Sequence, residues 1–189
     1  MTAQASRARK PARQQLSDLR LAVLDKEGHL GNLIRETVAI WNIRRITTFT
    51  SEARALRSIA ANPPDMLIIN WKDPGCDAIA LTRRIRNREE FPHPFLALII
   101  VLSDVTRDRV LQARDAGTDE LLALPFSPKA LHERICSIVY DRRGFVDVPG
   151  FFGPDRRRGA IAESLGVDRR GGSSILIDPK SQKQYLEIQ

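Results

Sequence analysis

Five short apolar runs, each followed by an amphipathic segment, alternate along residues 19–140 and constrain the fold more than any other feature of this sequence. The runs are continuous rather than alternating, as in LRLAVLD, DMLIIN and FLALIIVLS. Strands that are apolar on both faces belong to parallel sheets covered by helices on both sides. The segments between them carry apolar residues at three- and four-residue spacings, which is typical of amphipathic helices. The pattern predicts an α/β fold, a doubly wound five-stranded parallel sheet with extended tails.

Residues that start or stop helices mark the ends of these elements. We predict strands in five segments, 19–25, 44–50, 65–70, 95–103 and 119–125. Ser51 and Ser127 are predicted N-caps, whereas Asn62 and Gly117 are predicted helix ends. The chain thereby divides into three parts, which are a basic, flexible N-terminal arm (1–18), one domain (19–142) and a C-terminal extension rich in glycine, proline and arginine (143–189).

Charge and composition narrow the class of protein. The 189 residues carry a formal net charge of +7, and residues 1–18 hold four basic side chains against one acid. No apolar region follows this basic start, and the longest apolar run, FLALIIVL, is far shorter than the roughly 20 residues that span a bilayer. Cys76 and Cys136 lie in helical patterns without metal-ligand spacing, which predicts buried free thiols in a reducing compartment. We therefore predict a soluble, cytoplasmic protein that does not bind a membrane.

Polar side chains gather where the predicted strands end. In a doubly wound sheet, ligands bind beyond the carboxyl ends of the strands. The residues at these ends are Asp25, Lys26 and Glu27 after the first strand, Asn70, Trp71 and Lys72 after the third, Ser103 and Asp104 after the fourth, and Leu124, Pro125 and Phe126 after the fifth. We expect any functional site of the domain to lie among them.

Two stretches of the chain resemble the receiver domain of response regulators (CheY-like domains). PDMLIINWKDPGCDAIALTRRIR is similar to that family's third strand, phosphorylation loop and third helix. LIIVLSDVTRDRVLQARDAGTDELLALPFSPKALHERI is similar to its fourth strand through fifth helix, and the whole resemblance covers about residues 19–140. It implies a receiver or flavodoxin-like fold with strand order 2-1-3-4-5, and a place in bacterial two-component or phosphorelay signalling.

The resemblance also implies a phosphorylation pocket, from which this chain departs. In the family, two acids after the first strand and an aspartate nucleophile hold Mg²⁺, while a hydroxyl and a lysine bind the phosphoryl oxygens. Asp25 and Ser103 match this pattern. Lys26, Asn70 and Leu124 stand in place of the second acid, the nucleophile and the lysine. An amide is a poor nucleophile and an ammonium repels a metal ion, so we expect a degenerate pseudo-receiver with no catalytic residue, metal or cofactor.

Lys26 leaves two alternatives open. In the first, its ammonium lies near Asp25 and the Asn70 amide and stabilises the pocket in place of the metal ion. In the second, the ammonium extends into solvent and the aliphatic part of the side chain lies along the surface. A further hypothesis is that the domain is still phosphorylated on an acid. Glu27 or Asp73 would then have to accept the phosphoryl group from a position displaced from that of the family's aspartate.

The C-terminal extension carries an aromatic cluster followed by arginines. Its composition is poor for a second core, and we expect Phe145, Phe151 and Phe152 to pack onto the domain while Gly153 and Pro154 turn the chain. FVDVPGFFGPDRRR resembles an extension found after receiver-like domains in some bacterial signalling proteins, and SSILIDPKSQKQYLEI is a candidate hairpin. The arginines that follow form either an anion or nucleotide site or a solvated charge run, and they are Arg156, Arg157, Arg158, Arg169 and Arg170.

These observations favour a binding module over an enzyme. No Ser-His-Asp order, P-loop or zinc motif is present, and His29, His93 and His132 lie far apart in the sequence. The main hypothesis is a phosphorylation-independent signalling adaptor that binds a protein. Candidate partners are a histidine kinase, another regulator, or a second copy bound through the fourth and fifth strand–helix units. The alternative is an effector that binds a cyclic dinucleotide or RNA through the arginines of the extension.

Overall fold

The computed structural model of this chain describes residues 16–72, 76–155, 174–179 and 184–188. Five parallel strands form its central sheet, and they are β1 (Arg20–Leu24), β2 (Arg45–Phe49), β3 (Met66–Trp71), β4 (Ala97–Leu102) and β5 (Glu120–Ala123). Their order across the sheet is β2-β1-β3-β4-β5. The predicted doubly wound sheet and its strand order are confirmed.

Helices cover both faces of this sheet. They are α1 (His29–Ala39), α2 (Glu52–Ala61), α3 (Ala78–Arg86), α4 (Arg107–Ala116) and α5 (Pro128–Tyr140). Within β3, Ile68 joins the core formed with α1 and α5, whereas Leu67 and Ile69 join the core formed with α2, α3 and α4. A strand buried on both faces must be apolar throughout, which explains the continuous runs. Within the described ranges, no helix has the length and apolarity needed to cross a bilayer.

The helix ends follow local sequence rules with one exception. The Ser127 hydroxyl accepts a hydrogen bond from the Ala130 amide at 3.1 Å, and Gly117 ends α4 with a φ of 96°. These two predicted caps are confirmed. Ser51 stands before α2, but its side chain makes no capping hydrogen bond. A 3-10 turn at Leu16–Asp18 lies inside the range predicted as a flexible arm, and residues 1–15 of that arm lie outside the described part.

The C-terminal extension forms a second sheet, which corrects the prediction that its composition is poor for a core. Its antiparallel strands are β6 (Phe145–Val148), β7 (Phe151–Pro154), β8 (Ser174–Ile177) and β9 (Gln184–Ile188), in the order β7-β6-β8-β9. The chain reverses at Gly150, whose φ of 81° favours glycine. Gly153 and Pro154 therefore lie within β7, and the prediction that they turn the chain was wrong. The candidate hairpin is confirmed as the β8–β9 pair.

Aromatic rings join the extension to the domain near the amino end of β4. The ring centroids of Phe95, Phe145 and Phe152 lie 5.1 to 5.4 Å from one another. The guanidinium groups of Arg86 and Arg142 each lie 5.0 Å from the centroid of the Phe145 ring. Phe145 and Phe152 thus pack onto the domain as predicted, and β6 and β7 are held there.

Asp119, just before β5, is the buried acid of this junction. Its carboxylate accepts hydrogen bonds from Arg86 Nη2 at 2.8 Å, Arg142 Nε at 2.7 Å and the Leu98 amide at 2.9 Å. Burial raises the pKa of Asp119, but the charges of Arg142 and Arg86 outweigh it and hold the pKa below its usual value. Burial lowers the pKa of Arg86 to about 10, so both groups are ionised at pH 7. A buried ion pair therefore anchors the start of the extension.

Candidate functional site

The strand-end residues meet at the carboxyl edge of the central sheet because the strands are in register there. β3 and β4 pair Trp71 with Leu102, and β4 and β5 pair Leu102 with Ala123. Ser103 and Leu124 are therefore the next residues of neighbouring strands, and the Leu124 amide donates to the Leu102 carbonyl at 2.7 Å. The predicted location of the site at this edge rests on this alignment.

Asp25 is the buried acid of the edge, with 2% of its surface exposed. Its Oδ2 accepts hydrogen bonds from the Leu30 amide at 2.8 Å and the Gly31 amide at 3.4 Å, at the start of α1. Its Oδ1 accepts a hydrogen bond from Asn70 Nδ2 at 2.8 Å. Because the amino end of a helix stabilises negative charge, α1 and Asn70 together solvate the carboxylate of Asp25.

The hydrogen bond to Asp25 determines which way the Asn70 amide faces. An ionised carboxylate only accepts, so Nδ2 rather than Oδ1 must point toward it. The Oδ1 atom of Asn70 is buried and has no hydrogen-bond partner among the described residues. The edge of the sheet therefore offers an unused acceptor where the family has a nucleophile.

Lys26 is exposed, and its role at this edge stays a prediction. The lysine that makes an ion pair here is Lys72, whose Nζ lies 2.8 Å from Oε2 and 3.0 Å from Oε1 of Glu27. Glu27 and Lys72 were predicted at the ends of adjacent strands, but their pairing was not predicted. Their opposite charges at the ends of neighbouring strands could have indicated this ion pair from the sequence.

The fourth and fifth strands contribute little charge to the edge. Ser103 is exposed, and Leu124 packs against the core formed with α1 and α5. The guanidinium of Arg109 lies 5.0 Å from the centroid of the buried Trp71 ring, and its Nε lies 3.9 Å from Asp104 Oδ2. Arg109 therefore covers Trp71 from α4, a contact that the sequence analysis did not anticipate.

Both cysteines are free thiols, as predicted, although only Cys76 is fully buried. Burial raises the pKa of Cys76 to about 11, the Glu52 carboxylate adds to this rise and the Lys26 ammonium opposes it. Burial also raises the pKa of Cys136. A thiol needs a lowered pKa to act as a nucleophile at neutral pH, so neither cysteine is activated.

Several predicted residues lie outside the described part of the chain. They are Asp73, Arg156, Arg157, Arg158, Arg169 and Arg170, and their predicted roles stay predictions. Within the described ranges, no group of three or more His, Cys, Asp or Glu side chains is placed to hold a metal ion. The last described residue before the arginines is Asp155, whose amide donates to the Gly144 carbonyl at 2.8 Å.

Comparison with protein families finds one matching model. The response regulator receiver domain matches residues 21–136, which is more than half of the chain. The chain is 31% identical over 102 residues to the chemotaxis protein CheY of Pseudomonas aeruginosa, covering 51% of this chain and 81% of that protein. It is 29% identical over 90 residues to the phosphate regulon transcriptional regulatory protein PhoB of the same organism, covering 48% of this chain but 38% of that protein. It spans only 16% of NtrC, a DNA-binding transcriptional regulator of Escherichia coli, at 34% identity over 80 residues, or 42% of this chain.

Solved structures show the same fold. A putative response regulator from Chloroflexus aurantiacus is similar with a TM-score of 0.58 and 24% identity, covering 64% of this chain and 97% of that one. The receiver domain of a Francisella response regulator is similar with a TM-score of 0.56 and 24% identity, covering 65% of this chain and 97% of that one. The similarity is confined to about two thirds of this chain.

Proposed function

Since this chain belongs to the response regulator receiver domain family, we propose that it is a phosphorylation-independent signalling adaptor that acts by binding a protein. The observation that carries the proposal is the hydrogen bond from Asn70 Nδ2 to Asp25 Oδ1 at 2.8 Å. An amide nitrogen thus contacts the remaining acid at the place where the family has its nucleophilic aspartate. Because an amide cannot form an acyl phosphate, the adaptor performs no chemical step at this position.

The residues at the edge do not fit the Mg²⁺ that the family implies. Mg²⁺ needs an octahedral set of oxygen ligands, usually including carboxylates. The two oxygens of Asp25 already accept three hydrogen bonds, and the carboxylate of Glu27 is paired with Lys72. This arrangement supports a site that has given up the metal, in which Asn70 and the start of α1 stabilise Asp25 instead.

The surface we assign to the partner is the face formed by α4, β5 and α5. Each of the two helices of this face has a large exposed apolar side chain at one end, Val105 at 53% just before α4 and Tyr140 at 45% at the end of α5. Exposed apolar side chains are commonly buried in interfaces. The candidate partners are a histidine kinase, another regulator or a second copy of this chain.

The experiment is affinity capture from the source cells with the full chain as bait, with and without acetyl phosphate and Mg²⁺. The proposal expects the same bound protein in equal amount under both conditions. Val105→Arg should weaken its capture, because burying an unpaired charge in an apolar contact is costly. The matched control is Ile40→Arg, which alters a 69% exposed apolar residue directly after α1 and should leave the capture unchanged. A partner that binds only after phosphodonor treatment would overturn the proposal.

A further inference from the structure

A cleft between α2 and the edge strand β2 has a volume of about 310 Å³, and neither Asp25 nor Asn70 is among the residues that line it. Small side chains leave this space open, because Ala22 of β1 and Thr47 of β2 are direct neighbours in the sheet and both line it. Ser58 and Asn62, one turn apart on α2, form the opposite wall. The volume is at the lower end of the range of about 300–1,000 Å³ that is usual for small-molecule sites.

Two of the residues that line this cleft are arginines on neighbouring strands. Arg20 and Arg45 are paired in the β1–β2 register, two residues before Ala22 and Thr47, so all four belong to one face of the sheet. The two positive charges repel each other, and an anion bound between the two guanidinium groups would relieve that repulsion.

The charges around the cleft favour an anion. Three arginines line it, the third being Arg44, and no aspartate or glutamate is among its described lining residues. Arg20 is partly engaged already, because its Nη1 donates to Asn62 Oδ1 at 3.0 Å and its Nε lies 3.8 Å from Asp65 Oδ2, whose charge offsets part of its own. An anion would therefore be bound by Arg45 together with the remaining N–H groups of Arg20. The carboxyl end of α2 opposes an anion with roughly half a charge. This partial negative charge is smaller than the full positive charge that each lining arginine carries.

The cleft also has an apolar wall. Phe49 of β2 and Ile59 of α2 line it together with the polar residues, and Phe49 is only partly buried against the core. A ring of this kind can hold the flat or apolar part of a ligand, while guanidinium groups bind phosphate oxygens in pairs. A cleft lined by both arginines and apolar side chains suits a ligand that has an anionic group and a flat or apolar part.

We propose that this cleft binds a small organic phosphate of mononucleotide size, with its phosphoryl group on Arg20 and Arg45 and its remainder between Thr47 and Phe49. Asp25 and Asn70 are not among the residues that line the cleft, although the Phe49 carbonyl accepts a hydrogen bond from the Asp25 amide at 2.9 Å. The proposal does not depend on the adaptor function. It uses residues of β1, β2 and α2 alone, and none of the arginines of the extension.

The test is a titration of the full chain with AMP, inorganic phosphate and adenosine, followed by NMR and calorimetry. We expect AMP to bind and adenosine to bind at least about tenfold more weakly, because the phosphoryl group supplies the charged hydrogen bonds. Arg45→Ala should weaken AMP binding about tenfold or more. Arg84→Ala, which removes an exposed arginine of α3 outside the cleft lining, is the matched control and should leave affinity unchanged.

A second variant separates charge from shape. Thr47→Phe fills the cleft but keeps every arginine, so AMP binding should be lost while inorganic phosphate still binds. If neither AMP nor phosphate binds up to about 10 mM, the arginines are ordinary solvated side chains and the proposal is wrong. It is equally wrong if AMP binds Arg45→Ala and Thr47→Phe as tightly as the unaltered chain.

Discussion

The proposed function depends on the contact between Asn70 and Asp25. The amide donates to Asp25 Oδ1 at 2.8 Å, while its own oxygen is buried without a partner in the described part of the chain. Leaving a buried acceptor unpaired costs about 1–3 kcal/mol. The hydrogen bond that stabilises the Asp25 carboxylate is therefore accompanied by an unfavourable unpaired acceptor.

Asn70→Asp tests that arrangement. The change removes the donor and places a second carboxylate within hydrogen-bond distance of Asp25, so we expect a loss of about 1–3 kcal/mol in the free energy of unfolding at pH 7. Added Mg²⁺ should restore part of it in the variant and have no effect on the unaltered chain. Urea denaturation with and without Mg²⁺ measures both effects.

The control for this variant is Asn32→Asp, which makes the same chemical change at an exposed position of α1. It should shift the unfolding free energy by no more than about 0.5 kcal/mol. Equal stability of Asn70→Asp and Asn32→Asp would show that the Asn70–Asp25 hydrogen bond contributes nothing.

The sequence could predict which residues of the site meet, but not all of their contacts. Asp25 and Asn70 follow apolar runs that end at one edge of a parallel sheet, so their proximity follows from topology. Lys26 has a long, flexible side chain, and its direction depends on the balance of solvation and pairing rather than on its position in the chain. The Glu27–Lys72 pair joins two strand ends far apart in sequence, and it could be found only once the strands were aligned.

At the scale of elements, a junction of arginine and aromatic side chains attaches the second sheet to the first. Asp119 is 3% exposed at its side chain, as is Arg86, and Arg142 is 9% exposed. Local composition did not reveal this sheet, because β6 pairs with β8 across a long stretch of chain. Its buried residue Phe145 depends on Phe95 of the first domain. Such contacts are non-local and leave no periodic signal.

Asp119→Asn should destabilise the chain by about 3–5 kcal/mol at pH 7, since it leaves two buried guanidinium groups without their carboxylate. The folded pKa of Asp119 is lowered, because the two arginines outweigh its burial. Its contribution is therefore present above the unfolded pKa of about 3.9 and is lost as the pH falls through the lower folded value. Denaturation curves from pH 7 to 3 should show the gap between the two chains narrowing below about pH 4.

Asp115→Asn is the control for charge alone, because Asp115 is an exposed acid paired with Arg114. Its effect should stay within about 1 kcal/mol. If Asp119→Asn behaved like Asp115→Asn, or its deficit did not change with pH, the buried ion pair would not be what holds the junction.

The junction also bears on the molecule as a whole. Phe145 is fully buried, and it contacts Arg86 and Phe95 of the first domain as well as Phe152 of the extension. Two sheets that share one buried ring and one ion pair should lose their structure together. The described strands of the extension are therefore expected to unfold with the first domain rather than on their own.

Phe145→Ala should lower stability by about 3–5 kcal/mol, as for other buried phenylalanines. Both tryptophans, Trp41 and Trp71, lie in the first domain, so their fluorescence reports the domain and not the extension. The expected result is a lower midpoint in the tryptophan signal. Val105→Ala, at an exposed site, serves as control. An unchanged tryptophan transition would show that the two sheets unfold independently.

The central claim is that this receiver domain does not use aspartyl phosphorylation. The direct measurement is the intact mass of the full chain after incubation with acetyl phosphate and Mg²⁺. The triple variant Lys26→Asp, Asn70→Asp, Leu124→Lys, which restores the family's residues, is run in parallel. We predict no acid-labile phosphoryl adduct on the unaltered chain, because Asn70 offers an amide where the family has a carboxylate. A stoichiometric acid-labile adduct on the unaltered chain would contradict the account.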